Sequence, residues 1–455
     1  MVSQNYLSLP NLDLTGNIAP MYVDRIIPDP VHDKLIFSNK FIRYIDNKYV
    51  RGIWSWNGVK WDSLSKGING LDVQNTSANG TALCGIEYNG KLLVGGIFQS
   101  MGRSKTTSLA LWDGIKWDSL PNRAFRRNAD VAVYGFLKAN NLLYIHGCFD
   151  TIAGQKAQSL ATYDGASFTP IILPLDWNCN FITCMMRYKN EFYIGGNFGT
   201  SANTTNYDIL KSSGSSWVNV GGGIQGSTSS ISSMEVYNDE LYVAGYFEKQ
   251  SGNVGNVIMK WDGTNWHDVG WGDMIFNASV WKLLVHQNKL FAFGTFNYAA
   301  DEKASKVAVF DGSKWCMYAD SLDGTIYSAA VYHDTLFIAG GFKTISGDTD
   351  KKLIAKLINV DNYTNCKSVG FTEIDADNGL LIYPNPVQDI LTVELHNSEV
   401  STSKITFYNV LGQKIADVDQ PKSKNEIDIS ALFPGIYLLR VENRLGQRVY
   451  KVLKE

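Results

Sequence analysis

Apolar residues in this chain fall in short blocks punctuated by Gly, Asn and Asp, the pattern of strands and tight turns. Residues 91–120 show it most clearly: KLLVGGIF, then QSMGRSKTTS, then LALWDGIKWDSL. They predict an apolar strand ending in Gly-x-Phe, a polar loop, a second strand, a tight Asp-Gly turn, and a third strand carrying Trp and Leu. An inner strand, 84–88, precedes them across the hairpin turn Asn89-Gly90. Strand 92–96 is apolar on both faces and should be buried on both.

This unit recurs. The phenylalanines of Gly-x-Phe are Phe98, Phe149, Phe198, Phe247, Phe296 and Phe342, separated by 51, 49, 49, 49 and 46 residues. A weaker first copy ends at Phe41, with Ser38-Asn39 in place of the two glycines. The first hairpin turn recurs at His32-Asp33, Asn140-Asn141, Lys189-Asn190, Asn238-Asp239, Gln287-Asn288 and His333-Asp334. A second turn recurs at Asn57-Gly58, Asp113-Gly114, Asp164-Gly165, Ser213-Gly214, Asp262-Gly263 and Asp311-Gly312. Paired aromatics flank it, as in Trp112/Trp117 and Trp261/Trp266, and should brace it from both strands. A fixed period of this size in an all-β pattern predicts a seven-bladed β-propeller over residues 1–370, with degenerate first and last copies. Tyr6-Leu7-Ser8-Leu9-Pro10 repeats the outer-strand pattern of Trp117-Asp118-Ser119-Leu120-Pro121, so residues 4–10 are expected to close the last blade. The glycine two residues before each phenylalanine (Gly96, Gly147, Gly196, Gly245, Gly294 and Gly340) should serve close backbone approach or positive φ, which Asn39 tolerates best among other residues.

Antiparallel alternation places both tight turns of every blade on one side. The variable connections 99–108, 150–159, 199–207, 248–256, 297–306 and 343–352 lie on the other. Function concentrates on variable loops over a rigid scaffold, so that side is the expected ligand face. Its candidates are Asp150, Tyr207, Glu248, Trp271 and Tyr298. The pattern LYVGGxF…G…IAxWDGxxWxxL resembles the kelch-type propeller repeats of secreted bacterial proteins, a resemblance that specifies fold class and not function.

Composition narrows the functional classes. Net charge is −3, which gives no basis for nucleic-acid or anionic-lipid binding. No apolar run reaches the roughly 18 residues of a membrane helix. The six cysteines, Cys84, Cys148, Cys179, Cys184, Cys316 and Cys366, include no CxxC pair and read as inert buried thiols; Cys179 and Cys184 are the two near enough to pair. The six histidines form no HxH or HExxH motif, so no metal site is assigned. Asp348/Asp350 and Asp375/Asp377 are the only calcium candidates. The run Asp375-x-Asp377-Asn378-Gly379 lacks the distant Glu of a calcium loop and reads as a solvated linker, so no cofactor is expected. Asp150, Glu248, Asp301 and Glu302 are carboxylates of the variable side, but nothing in the sequence pairs them and no catalytic residue is assigned.

The period disappears after the acidic linker 371–379. Residues 380–455 read as short alternating strands of an Ig-like β-sandwich. This tail resembles the type A C-terminal sorting domain of the type IX secretion system of Bacteroidetes. The matching residues are Tyr383-Pro384-Asn385-Pro386, then Asn409 with Leu411-Gly412-Gln413, then Pro434-Gly435 with Tyr437, and the basic end with Lys451 and Lys454. The resemblance implies passage through the secretion translocon barrel, delivery to a PorV-like shuttle, and release or attachment at the cell surface. It also implies an N-terminal leader. Residues 1–10 have neither a basic nor an apolar region, so the leader is expected to have been removed. The expected function is that of a secreted or surface-displayed, non-catalytic binding or adhesion platform. The alternative is a glycan-active enzyme on the variable face.

Overall fold

The computed structural model describes residues 6–8, 22–45, 48–64, 80–102, 104, 106–120, 131–175, 181–198, 208–226, 229–273, 278–300, 302–304, 306–317, 322–348, 353–357, 380–395, 404–409, 413–418, 422–443 and 446–454. The chain forms two compact units, 1–366 and 367–455.

Among the described residues the first unit holds seven four-stranded antiparallel sheets and two short two-stranded ribbons. Blade 2 is typical: Thr81–Tyr88, Lys91–Ile97, Leu109–Trp112 and Trp117–Asp118, running from the inside outward. The innermost strands are Arg25–Asp29, Thr81–Tyr88, Ala132–Ala139, Phe181–Tyr188, Ser230–Tyr237, Ser279–His286 and Ile326–Tyr332 for blades 1 to 7. Each packs beside the next, and the seventh packs beside the first. The fourth strand of blade 7 is Tyr6–Ser8, paired with Ile354–Leu357, so the N-terminus closes the last blade.

The closing contact repeats the ordinary one between blades. Tyr188 Oη donates to Asp239 O at 3.0 Å, Tyr237 Oη to Asn288 O at 3.2 Å, and Tyr332 Oη to Asp33 O at 2.9 Å across the seam. Likewise Leu283 N donates to Ser233 Oγ and Ile26 N to Ser328 Oγ, both at 3.0 Å. Outer strands add a third recurring bond, in which an indole N–H reaches the preceding blade: Trp117 to Leu64 O, Trp266 to Val220 O and Trp315 to Val269 O.

The second strand of blade 2 is buried from Leu92 to Gly96, as its two-faced apolar pattern predicts. The six phenylalanines from Phe98 to Phe342 are buried, at most 4 % exposed; the side chain of Phe41 lies outside the described residues. The glycine before them serves close approach and not positive φ. A Cβ on Gly245 would stand 2.0 Å from Ser230 O, and those on Gly147, Gly294 and Gly340 meet the same obstacle. Trp112/Trp117, Trp56/Trp61 and Trp261/Trp266 are directly opposed cross-strand pairs, with ring centroids 4.9–6.1 Å apart. At the turn between such strands, the Asp113 carboxylate accepts from Ile115 N and Lys116 N, which holds its pKa below the ordinary value.

Two expectations need correction. The first hairpin of blade 1 is a four-residue turn, because Asp29 pairs with Lys34. The buried Asp29 carboxylate organises it by accepting from Val31 N and His32 N and bonding the His32 ring. The cysteines are also not uniformly thiols. Cys148 and Cys316 are disulfide-bonded, whereas Cys84 and Cys184 are free; Cys179 and Cys366 lie outside the described residues.

The second unit is a sandwich. One sheet holds Leu380–Tyr383, Ile390–Leu395 and Lys424–Asp428. The other holds Lys414–Val418, Lys404–Asn409, Gly435–Asn443 and Gly446–Lys454. Val387, Leu391, Val393, Ile405, Phe407, Leu439 and Val452 form its core. Among the described residues no helix is long and apolar enough to cross a membrane.

Candidate functional site

The innermost strands enclose a cavity of about 410 Å³ on the propeller axis, within the roughly 300–1,000 Å³ usual for small-molecule sites. Its lining is built by a backbone device. Six of the seven innermost strands slip register by one residue, between Ala82/Cys84, Val133/Gly135, Ile182/Cys184, Ile231/Ser233, Val280/Lys282 and Ile326/Ser328. A bulge re-aims the extra side chain. The extra residues are Leu83, Tyr134, Thr183, Ser232, Trp281 and Tyr327, and all six line the cavity. Each sits in the opening turn of its strand, at the end where the variable connections enter.

Aromatics gather at this end in two arcs. Trp281 lies edge-on to Tyr327 at 6.4 Å, and Tyr327 edge-on to Tyr22 at 5.8 Å. Across the ring, Tyr134 lies 6.3 Å from Phe181. Trp281 is 42 % exposed yet held in place, because its Nε1 donates to Thr295 Oγ1 at 3.1 Å and Thr295 donates on to Thr325 Oγ1 at 3.0 Å. An exposed, anchored indole is a preformed stacking surface.

Charge enters from three blades. Arg25 and Lys282 line the cavity together with a single carboxylate, Glu235. Burial depresses the Arg25 pKa, opposed by the nearby Asp24 charge. Burial pushes Glu235 up, opposed by Lys282. The thiols of Cys84 and Cys184 also line the cavity, and burial raises both, Cys184 to about 12. Both are therefore protonated at neutral pH and are poor nucleophiles. His146 also belongs to the lining; its Nδ1 donates to Ile182 O at 2.9 Å, and burial holds its pKa down at about 4.

The residues expected on the ligand face lie outside this lining. Asp150 is half-buried where it opens the ribbon Thr151–Ile152/Gln155–Lys156, and its carbonyl accepts from Ala157 N. Glu248 precedes the short helical turn Lys249–Ser251 and accepts from Asn253 through its carbonyl. Tyr298 is 39 % exposed on a second ribbon, Tyr298–Ala299/Glu302–Lys303. Trp271 is 1 % exposed and packs edge-on against Phe296 and Trp315, so it fills the gap between blades 5 and 6 and is not a surface aromatic. None of these four lines the cavity. Tyr207, Phe276, Asp301, Asp350, Asp375, Asp377 and His396 lie outside the described residues. Among the described residues no three His, Cys, Asp or Glu side chains cluster as a metal site. His32, His267 and His333 each bond a neighbouring carboxylate in a turn.

In the second unit the motif residues tie the tail to itself. Asn385 sits between two cis X-Pro bonds. Its Nδ2 donates to Lys451 O at 2.9 Å, and its Oδ1 accepts from Leu453 N at 2.8 Å. Asn409 Oδ1 accepts from Gln413 N at 2.9 Å, bracing that hairpin; Leu411 and Gly412 lie outside the described residues. Tyr437 stacks on Phe407 at 5.5 Å, and its Oη donates to Phe433 O. Lys454 is buried, whereas Pro434 is exposed.

Comparison with known proteins agrees with this division. Residues 381–455 match the family described as "Secretion system C-terminal sorting domain". No curated protein matches the chain. Among solved structures, the chain is similar to PorZ, described as an essential bacterial surface component of the type IX secretion system of Porphyromonas gingivalis. The identity is 13%, with 94% of this chain and 59% of that chain covered and a TM-score of 0.43. It is also similar to the extracellular domain of a putative hybrid two-component system from B. thetaiotaomicron, with 11% identity, 99% and 58% coverage and a TM-score of 0.47. A Bacteroides ovatus xyloglucan-locus protein, GH43B, is similar at 9% identity, with 98% and 92% coverage and a TM-score of 0.27. The chain thus spans somewhat under three-fifths of the length of the first two.

Proposed function

We propose that this chain is a cargo of the type IX secretion system and that its propeller works outside the cell as a non-catalytic binding platform for carbohydrate. The sorting-domain match over 381–455 supports the export route, with a translocon barrel and a shuttle barrel as the tail's partners. The disulfide-bonded Cys148 and Cys316 fit an oxidising destination. The observation that carries the binding role is the aromatic-rimmed cavity on the loop side. The C–H face of a sugar ring carries partial positive charge and complements the negative face of an indole. Trp281 offers such a face at a mouth that Leu83, Tyr134, Thr183, Ser232 and Tyr327 also line.

A glycan array with parallel turnover assays tests this reading. The expected result is binding without turnover, weakened by at least about fivefold in Trp281→Ala, since loss of a stacking aromatic costs on the order of 1–3 kcal/mol. Glu235 favours a second reading, because a carboxyl whose pKa is raised within a cleft is a general-acid candidate. Glycoside hydrolysis ordinarily needs a second carboxylate, and the described lining contributes Glu235 alone. Turnover that disappears in Glu235→Gln would replace the proposal with the enzyme.

A further inference from the structure

We infer that the axial cavity selects a carbohydrate bearing a carboxylate, with Arg25 and Lys282 receiving the anion while the Trp281–Tyr327–Tyr22 arc holds a sugar ring at the mouth. This rests on the reading of the mouth as a carbohydrate site. The lining carries two cations and one anion, contributed by blades 1, 6 and 5. Glu235 answers Lys282. Arg25 has no such partner in the lining. Its Nη1 donates to the Asp24 carbonyl at 2.8 Å, while the Asp24 carboxylate lies within 3.4 Å of Thr81 Oγ1 and outside the lining.

A guanidinium has five N–H donors in a fixed fork that matches a carboxylate. Arg25 is half-buried and lines the cavity, so its remaining donors can meet a ligand that enters there. The Cys84 thiol beside it in the lining is protonated, and the Asp24 charge that acts on Arg25 comes from outside the lining. The ring of bulges adds hydroxyls from Thr183, Ser232 and Tyr327, which suit the neutral part of a sugar. A uronate-type residue has both parts, one face that stacks and one carboxylate that seats between cations.

The test is titration calorimetry of the full chain against a panel of uronate- and sialate-containing oligosaccharides. Each is paired with its carboxyl-reduced neutral counterpart. At least one acidic member should bind about tenfold more tightly than its neutral partner, a difference of about 1.4 kcal/mol. That preference should shrink as salt is raised and be lost in Lys282→Gln and Arg25→Gln, with folding checked by circular dichroism. The salt dependence needs no variant, so it decides the matter even if Arg25→Gln fails to fold. Equal affinity for the two members of every pair, or binding by neutral members alone, overturns this inference and leaves the carbohydrate reading standing. Binding by neither class overturns both.

Discussion

Single residues in this propeller owe their identity to one steric or electrostatic fact each. The glycine before the buried phenylalanine was legible as a special position, and of the two reasons expected for it the structure selects close approach. Its backbone is not at positive φ; the obstacle is the carbonyl of the innermost strand, 2.0 Å from any added Cβ at Gly245. Gly245→Ala should therefore cost more than about 2 kcal/mol, as overpacking against unyielding backbone does. Gly90→Ala has open space and only the strain of φ +71°, about 1 kcal/mol. Comparable chemical-denaturation midpoints for the two variants would contradict the assignment.

Asp208 is a second case. It is buried, accepts from Phe198 N at 3.0 Å and Ser229 Oγ at 2.6 Å, and burial raises its pKa to about 6. The folded state then holds a proton that the unfolded chain releases above its ordinary value. The stability this group contributes is therefore full at low pH and is lost as pH rises through about 6. Asp208→Asn should stabilise the protein at about pH 8, by on the order of 2 kcal/mol, and lose that advantage as pH falls below the ordinary Asp value of about 4. His146, with its depressed pKa of about 4, acts in the opposite sense in both proteins, so the comparison is a difference between two melting curves. A difference that stays constant with pH would exclude the role given to Asp208.

At the scale of elements, turns were legible and bulges were not. The hairpin turns announce themselves because left-handed backbone demands Asn, Asp or Gly; Asn140 and Asn141, or Asn238 and Asp239, both take positive φ. The bulges leave no such mark. Leu83, Thr183, Ser232 and Trp281 share no chemistry, only a one-residue slip that pairing reveals. The cavity lining was therefore missed, and aromatics were sought on the connecting loops, where Trp271 proved to be core. The N-terminal strand was legible because Tyr6-Leu7-Ser8 repeats an outer-strand pattern, and it pairs with Ile354–Leu357. Removing residues 1–10 leaves that strand as an open edge. The melting temperature should fall by about 1–3 °C, corresponding to roughly 1–2 kcal/mol in a unit this size, and an unchanged value would show that the strand does not secure the ring.

At the scale of the whole molecule, the sequence period announced a ring, and hydrogen bonds close it. Tyr332 to Asp33 and Ile26 to Ser328 repeat across the seam the bonds between blades 4, 5 and 6. The disulfides at Cys148 and Cys316 were not legible, because cysteine spacing does not determine pairing. The tail was legible as a separate unit because the period stops there, and its motif residues explain its compactness: Asn385 clamps the final strand at Lys451 and Leu453. The export claim is tested most directly by fusing residues 380–455 to an unrelated, leader-bearing reporter in a bacterium with a working type IX system and fractionating the cells. The account predicts reporter in the medium or on the cell surface, and its loss from there when the secretion system is disabled. Intact fusion retained in the periplasm of the secretion-competent strain would contradict it.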